Sequence, residues 1–357
     1  MIISTLLIIM STYLIWKVSA SFDTAAGYLT RNWSEGIKGP TVNAIASSLP
    51  ELLLSAFFLF YIGDTQGFSA GFATIIGSSI FNIAMIPTIA FLVIYFKTGT
   101  AFFPTDKKLI QQDGIFLIIT EIVLIAALYF GGVSIELASV LILLYIIYIL
   151  NVIYSRRKVK KQKVNVENNI PEKKEGSYFI KLLQIDLHYI LFRNNAITTF
   201  KSFIILIISV VLISIACKQL VTSSEHISYL LNINLFFVTF FITAIASSIP
   251  DTILSVKDAQ NKRYKDSFSN AYGSNIFDIC IGIGLPVLVY LLLNGENEIS
   301  TSSSSSFNNI ILSSSILLLI FTIIITFLYW IKNINMKRSI FIISLYIIFL
   351  ITIFSIS

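Results

Sequence analysis

The sequence predicts an all-α membrane protein with ten transmembrane helices, arranged as two inverted five-helix repeats. Its composition, the spacing of its apolar runs and two duplicated motifs lead to this prediction. Of its 357 residues, 56% are hydrophobic and 12% are charged, whereas a soluble domain carries about 25% charged residues. The net charge of +6 could indicate nucleic-acid binding, but the basic residues lie in connections between apolar runs, which argues against that class.

Ten apolar runs are long enough to cross a bilayer, whose core takes roughly 20 residues per helix. The first run has neither a preceding basic segment nor a small-residue cleavage site, so we interpret it as a retained helix rather than a signal peptide. The predicted spans are residues 2–20, 39–62, 68–96, 109–130, 133–154, 197–217, 229–256, 266–293, 307–331 and 338–356.

These spans divide the chain into three predicted parts. A first five-helix repeat covers residues 1–154, and its central segment, 39–96, carries the first copy of the motifs described below. A linker follows at 155–196. A second five-helix repeat covers residues 197–357, with its motif-bearing segment at 229–293.

The linker contains the longest hydrophilic stretch of the chain. Residues 155–177 are rich in charge, which predicts a solvated cytoplasmic segment. Residues 178–193 are apolar but too short and too charged for a span, so we predict an interfacial amphipathic helix there. The charged and polar interruptions are Lys181, Asp186, His188 and Arg193.

The basic residues predict the orientation of the chain. If the N-terminus faces outside, every Lys and Arg except Lys218 falls on the inner side or at an inner helix end. Positive residues favour the cytoplasmic side of a membrane. We therefore predict an external N-terminus and a cytoplasmic linker, and we expect the plasma membrane as the location.

Two motifs occur twice and define an internal repeat. Residues 44–51 read Ala-Ile-Ala-Ser-Ser-Leu-Pro-Glu, and residues 244–251 read Ala-Ile-Ala-Ser-Ser-Ile-Pro-Asp. Downstream, residues 77–82 read Gly-Ser-Ser-Ile-Phe-Asn, and residues 273–278 read Gly-Ser-Asn-Ile-Phe-Asp. Because each half has an odd number of spans, the two halves must have opposite orientations. Transporters built in this way bind their substrates near the bilayer midplane, between the repeats.

The first motif places an acidic residue, Glu51 or Asp251, at bilayer depth. A carboxylate there costs several kcal/mol, so its presence indicates a function. Pro50 and Pro250 remove a backbone N–H and loosen the preceding turn. Released carbonyls, carboxylates and hydroxyls form an all-oxygen environment, which suits Ca2+ and Na+. The hydroxyls belong to Ser47, Ser48, Ser247 and Ser248.

The second motif supplies further polar groups at a close helix crossing. Gly77 and Gly273 allow two helices to approach each other closely. Residues four positions apart share a helix face, and the polar pairs with this spacing are Ser78 with Asn82 and Ser274 with Asp278. No thiolate or imidazole is expected beside these groups, which argues against Zn2+ or Cu+.

Charge balance predicts exchange of one ion for another. Glu51 and Asp251 supply two negative charges, which neutralise one Ca2+ or two Na+. Both substrates bound together would overload the pair with positive charge, so we expect mutual exclusion at one alternating site, which is antiport. Asp278 offers a place for a further monovalent cation, which would make the exchange electrogenic.

At these residues the sequence resembles the sodium/calcium exchanger family of the Ca2+/cation antiporters. The family's repeats look like G-T-S-x-P-E…G-S-N-x-F-N and T-S-x-P-[ED]…G-S-N-x-x-D, and the approach from Trp16 to Pro40 looks like the family's first helix and connection. The resemblance implies a five-plus-five helix architecture. It also implies that the first and sixth helices slide past the core to alternate access.

The resemblance further implies three groups of ion ligands. Glu51 and Asp251 would be the carboxylates shared by Ca2+ and Na+. Hydroxyls and carbonyls would bind either ion, at Ser47, Ser48, Ser247, Ser248, Ala44 and Ala244. The Na+ sites would be completed by Ser78, Asn82, Ser274 and Asp278.

The sequence departs from the family pattern at a few positions. Ala46 and Ala246 stand where the family usually has Gly, and Ser47 stands where it usually has Thr. Residues 74–82 resemble the potassium-dependent branch, which keeps K+ co-transport open as an alternative. The linker is too short for the long regulatory Ca2+-binding loop of animal exchangers, so we predict no regulation of that kind.

Other functions fit the sequence less well. A Ca2+/H+ exchanger is the first alternative, although its relatives usually end the second motif with Glu. An intramembrane aspartyl protease would need a Gly-x-Gly-Asp element, which is absent around Asp251 and Asp278, and it would leave Glu51 unexplained. A cation channel differs from an antiporter in needing no counter-ion, and single-channel currents would reveal it. We expect a transporter without enzymatic activity or cofactor, whose partners are its ions and the lipid bilayer. Three further polar residues are predicted to lie outside the ion-binding cluster and to have no role in it, namely Glu121, His188 and His226.

Overall fold

The computed structural model describes residues 1–33, 37–130, 132–156, 178–193, 195–299 and 305–355. The helices in these ranges are α1 (Ile2–Leu29), α2 (Ala44–Ser47), α3 (Leu49–Phe57), α4 (Asp64–Thr98), α5 (Lys107–Phe130), α6 (Ile135–Arg156), α7 (Tyr178–Leu183), α8 (Leu187–Phe192), α9 (Thr199–Leu231), α10 (Leu235–Val238), α11 (Ala244–Ser247), α12 (Ile249–Gln260), α13 (Tyr264–Phe277), α14 (Gly284–Asn294), α15 (Ser305–Ile331) and α16 (Met336–Ser355). π-helical segments lie at Gly39–Asn43, Phe58–Ile62, Thr239–Thr243 and Asp278–Ile283.

These helices confirm the predicted all-α membrane fold. Within the described ranges, 9 helices are long and apolar enough to cross a membrane. The bent pair Gly39–Ser47 and Leu49–Ile62 raises the number of spans to 10. Because α10 continues through to α12, and α13 through to α14, each of these groups counts as one span. The protein is therefore an integral multi-pass membrane protein.

The second half of the chain repeats the element order of the first half. Helix α9 corresponds to α1, α15 to α5, and α16 to α6. The π-helical segments Gly39–Asn43 and Thr239–Thr243 also correspond, and each precedes a four-residue helix and a second break. This correspondence places the two copies of each motif at equivalent positions of the fold.

Two predicted spans are longer than hydropathy alone indicated. Helix α1 continues to Leu29, and α9 continues to Leu231 rather than ending near residue 217. The predicted end of this span at residue 217 is therefore wrong, since Lys218 lies inside α9. Polar side chains of this region find hydrogen-bond partners inside the helix, such as the Gln219 carbonyl, which accepts from the Thr222 hydroxyl at 3.1 Å.

The linker contains two short helices where one interfacial helix was predicted. Helices α7 and α8 are separated because Ile185 adopts a positive φ of 50° and Asp186 caps α8 by accepting a 3.1 Å bond from the Tyr189 N–H. The linker contacts α1, where the Tyr13 hydroxyl donates to the Leu183 carbonyl at 2.7 Å. The prediction of a solvated segment falls mostly on residues 157–177, which lie outside the described ranges.

The apolar interior consists of two clusters. The larger cluster is built on α4–α6 and α13–α16, with residues such as Phe72, Tyr148 and Tyr329 buried in it. The smaller cluster joins α1 to α9 and includes Ile15 and Leu220. Helices α1 and α9 thus share this core with the broken helices that carry the motifs, through residues such as Leu54 and Ala246.

A buried ion pair joins three helices of the larger cluster. The Arg156 guanidinium donates to Asp113 at 2.5 Å and to the Ser269 hydroxyl at 3.1 Å, and the Ser269 hydroxyl donates to the other Asp113 oxygen at 2.9 Å. Asp113 is fully buried. The pair therefore anchors α13 to α5 and α6.

Arg156→Ala is expected to lower the stability of the protein by about 3–5 kcal/mol, because it leaves the Asp113 carboxylate buried without its cation. Thermal unfolding of purified protein in detergent would measure this loss. Lys265→Ala is the control, since it breaks the half-exposed pair with Asp106, and an exposed pair contributes at most about 1 kcal/mol. Equal losses of stability in the two variants would contradict the anchoring role of the Arg156–Asp113 pair.

Candidate functional site

Two broken helices carry the first motif. In each, a π-helical segment leads into a four-residue helix that ends at the serine before the break, Ser47 or Ser247. The helix resumes at Leu49 or Ile249 with proline at its second residue, where no N–H is needed. In the first copy the two halves are bent by 45°. The break turns the hydroxyls and the carboxylates of the motif into the protein interior.

The second motif lies where α4 crosses α13. A Cβ on Gly77 would lie 2.6 Å from the Phe240 carbonyl oxygen, and one on Gly273 would lie 2.6 Å from the Pro40 Cα. Each glycine therefore lets its helix contact the broken helix of the other repeat. At the crossing itself, the Asn275 amide donates to the Ser79 carbonyl at 2.8 Å.

Asp251 receives hydrogen bonds from both repeats. Its Oδ1 accepts from the Ser47 hydroxyl at 2.5 Å, from the Ser274 hydroxyl at 2.5 Å and from the Asn270 amide at 3.1 Å. Its Oδ2 has no hydrogen-bond partner among the described residues. One carboxylate oxygen is thus held in place, while the other remains available for a ligand.

Glu51 is the corresponding carboxylate of the first repeat. It is fully buried, and neither of its oxygens has a hydrogen-bond partner in the described part of the chain. It interacts electrostatically with Asp251, and the hydroxyls of Ser247 and Ser248 lie near it. Each carboxylate therefore lies beside a serine of the other repeat: Asp251 beside Ser47, and Glu51 beside Ser247.

Asp278 is a third buried carboxylate beside this pair. Its Oδ2 accepts from the Ser78 hydroxyl at 3.5 Å, and its Oδ1 has no partner within the described ranges. It interacts electrostatically with Glu51 and Asp251. Electrostatic interaction thus links three buried acidic side chains from two repeats, although no three His, Cys, Asp or Glu side chains among the described residues are arranged to hold a metal ion by themselves.

The remaining predicted ligands are polar groups of the same motifs, and most of them are buried without a partner among the described residues. The carbonyls of Ala44 and Ala244 accept from the Ser47 and Ser247 hydroxyls at 3.4 and 3.1 Å. Asn82 is fully buried, and its amide has no partner among described residues. The same is true of the hydroxyls of Ser48 and Ser248.

This arrangement is costly unless a cation compensates it. Burying a polar group without a hydrogen bond costs roughly 1–3 kcal/mol in protein mutants, and an unpaired charge costs more. Unpartnered oxygens of carboxylates, hydroxyls and amides are the kind of ligand that hard cations prefer. The cluster is therefore a candidate cation site.

Three contributors were missed by the sequence reasoning. Asn270 donates to Asp251, and Asn275 links the two crossing helices. Asn270 precedes Ser274 by one helical turn, so their shared face was a signal that could have identified it. Cys217 is also near Glu51, and its Sγ lies 3.7 Å from the Pro50 carbonyl oxygen.

Three polar residues predicted to lie outside the cage have other contacts. Glu121 is buried between α5 and α15, where it accepts a 2.8 Å bond from the Thr322 hydroxyl. His226 shares a 2.6 Å hydrogen bond with Ser4, which joins α9 to α1. His188 lies in the linker against the ring of Phe192.

A protein-family model matches most of the chain. The model of the sodium/calcium exchanger protein family matches residues 3–154 and 201–355. An uncharacterized membrane protein of Methanocaldococcus jannaschii is 27% identical over 248 residues, which cover 70% of this chain and 68% of that protein.

Two solved exchangers share the fold. The H+/Ca2+ exchanger CAX aligns with a TM-score of 0.62 at 16% identity, over 99% of this chain and 87% of that one. The sodium-calcium exchanger NCX_Mj aligns with a TM-score of 0.56 at 20% identity, over 97% of each chain. At these identities the likeness shows the fold alone.

Proposed function

Because the chain belongs to the sodium/calcium exchanger protein family, a family of Ca2+/cation antiporters, we propose that it exchanges Na+ for Ca2+ at one site shared by Glu51 and Asp251. The observation that carries this proposal is the convergence of acidic side chains from both repeats, with oxygens that lack partners among the described residues. Ca2+ takes six to eight oxygen ligands, and the carboxylates, hydroxyls and carbonyls around the pair can supply them.

Charge balance supports exchange at a shared site. The carboxylates of Glu51 and Asp251 neutralise one Ca2+ or two Na+, so the two substrates compete. Asp278, with Ser78 beside one of its oxygens, takes an additional monovalent cation in the Na+-loaded form. The exchange then moves net charge and responds to membrane voltage.

The sidedness follows from the charged connections. The inner connections carry nearly all Lys and Arg residues, so the N-terminus faces outside and the linker faces the cytoplasm. In a plasma membrane with an inward Na+ gradient, this transporter would carry Na+ in and Ca2+ out.

Ca2+/H+ exchange is the second candidate. The fold likeness to CAX and the third carboxylate, Asp278, favour it, because a buried carboxylate can carry a proton in place of a metal ion. The two candidates share the Ca2+ site and differ in the counter-ion.

Ca2+ uptake into Na+-loaded proteoliposomes tests the proposal. We expect 45Ca2+ uptake that requires an outward Na+ gradient at fixed pH and that changes with an imposed membrane potential. Addition of K+ on either side tests co-transport of that ion in the same assay.

A proton gradient without Na+ is the control. Uptake that follows the proton gradient and ignores Na+ would replace Na+ by H+ as the counter-ion. Uptake that ignores voltage would contradict the electrogenic part of the proposal.

A further inference from the structure

A small cavity lies between α1 and the second broken helix. Its volume is about 50 Å³, enough for roughly three water molecules. Ser19 and Asp23 line it from α1, and Pro250 and Lys257 line it from α12. Ser47 lines it from the break of the first broken helix.

The inner end of this cavity reaches the candidate cation site. The Ser47 hydroxyl that lines the cavity also donates to Asp251 at 2.5 Å. One hydroxyl therefore separates the cavity from the carboxylate. Ser19 is 4% exposed, and its hydroxyl has no hydrogen-bond partner in the described part of the chain. A buried hydroxyl without a protein partner, in a cavity large enough for water, is a position where a water molecule can bind.

The opposite face of the site is filled at the equivalent position. Pro250 lines the cavity, whereas its counterpart Pro50 has the Cys217 thiol 3.7 Å from its carbonyl oxygen. Cys217 is buried in the apolar cluster shared by α1 and α9. The cavity that reaches Asp251 thus lies between α1 and α12, with Lys257 in its lining.

Two residues that line the cavity form an ion pair at its partly exposed side. The Lys257 ammonium lies 3.4 Å from the Asp23 carboxylate, and their side chains are 55% and 18% exposed. The pair joins α1, which belongs to the smaller core with α9, to α12 of the ion site. An exposed pair contributes only about 0.2–1 kcal/mol, which suits a contact that must open in every transport cycle.

We propose that this cavity is the route by which cations pass between Asp251 and the membrane face carrying residues 257–265, and that the Asp23–Lys257 pair is its gate. This role rests on the exchange function proposed above. When the pair opens, the Asp23 carboxylate is freed from Lys257. It then becomes the first group on the route that attracts cations.

Thiol labelling of a cysteine introduced at Ser19 tests the gate. In a background with Cys217→Ala and Cys280→Ala, Ser19→Cys would be labelled in purified protein by a charged methanethiosulfonate reagent. Lys257→Asp replaces attraction to Asp23 by repulsion, so we expect the labelling rate to rise about five-fold, given the energy of exposed pairs. The double swap Asp23→Lys with Lys257→Asp restores the pair, and its rate is expected to return to within about two-fold of the background.

The pair of Lys265 with Asp106 provides a matched control. It is also half-exposed, with a distance of 2.9 Å, but it does not involve α1. Lys265→Asp should leave the labelling rate unchanged. Ala20→Cys, which lines the same cavity, replaces Ser19→Cys if that variant does not fold.

Two different failures can be told apart. An unchanged labelling rate in Lys257→Asp, or an equal rise in Lys265→Asp, would overturn the gate while Na+-driven Ca2+ uptake persists. Absence of that uptake in wild-type protein would instead refute the exchange function, and the gate with it.

Discussion

Glu51→Gln is expected to lower Na+-driven Ca2+ uptake by more than about 100-fold. The substitution keeps the size of the side chain and removes one of the two charges that balance Ca2+. Removing one partner of a buried charge pair costs about 3–5 kcal/mol, and each 1.4 kcal/mol corresponds to about a factor of ten in affinity. Initial rates of 45Ca2+ uptake into Na+-loaded proteoliposomes would measure the loss.

Glu121→Gln is the matched control for this variant. Glu121 is also a buried glutamate within a span, but it bonds to Thr322 between α5 and α15. We expect its substitution to change uptake by no more than a few-fold. Uptake by Glu51→Gln at the level of Glu121→Gln would remove Glu51 from the ion site.

Gly273→Ala is expected to reduce uptake at least tenfold although it changes no charge. The added Cβ would lie 2.6 Å from the Pro40 Cα and 3.0 Å from the Pro40 carbonyl oxygen. Backbone atoms cannot rotate away, so α13 must shift from the first broken helix, at a cost of about 1–3 kcal/mol. The shift would move Ser274, and with it the contacts of Asp251.

Gly282→Ala tests whether this effect depends on the backbone contact. Gly282 lies in the same span, but its Cβ would meet only the end of the Ile75 side chain, at 3.1 Å. That side chain can move by a few tenths of an ångström, so uptake should remain close to wild type. Measurement of uptake together with detergent-solubilised yield separates a damaged site from a failure to fold. Equal losses in the two variants would contradict the role of the close crossing.

The sequence was sufficient to predict the fold class, and it also predicts that Glu51 and Asp251 act together. Both predictions rest on duplication: the motifs ending in Glu51 and Asp251 are nearly identical, and an odd number of spans per half requires inversion. A carboxylate at bilayer depth has few explanations besides function. The meeting of Ser47 with Asp251 across the repeats then follows from the pseudo-symmetry.

Residues without a duplicated partner were not found in this way. Asn270 contacts Asp251, but the equivalent position of the first repeat is Thr74, so no repeated motif identifies it. Cys217 lies in a long apolar run, and hydropathy does not show that the run passes beside Glu51. Contacts of this kind depend on how helices rotate against one another, which packing decides.

Helix ends were also poorly predicted. Hydropathy measures the apolar length that lipid requires, whereas α9 continues to Leu231 through residues that bond to their own turns or to α1. The π-helical segments before Ala44 and Ala244 have no residue signature that predicts them. They arise where the backbone adjusts to the break that follows.

The proposed exchange requires a single ion held by carboxylates of both repeats. Crystals of the protein soaked with Sr2+, which substitutes for Ca2+ and scatters anomalously, would test this most directly. We predict one strong anomalous peak in contact with oxygens of both Glu51 and Asp251, which weakens as Na+ is added. A peak that contacts only one of these residues, or that lies outside the buried cluster, would contradict the shared site.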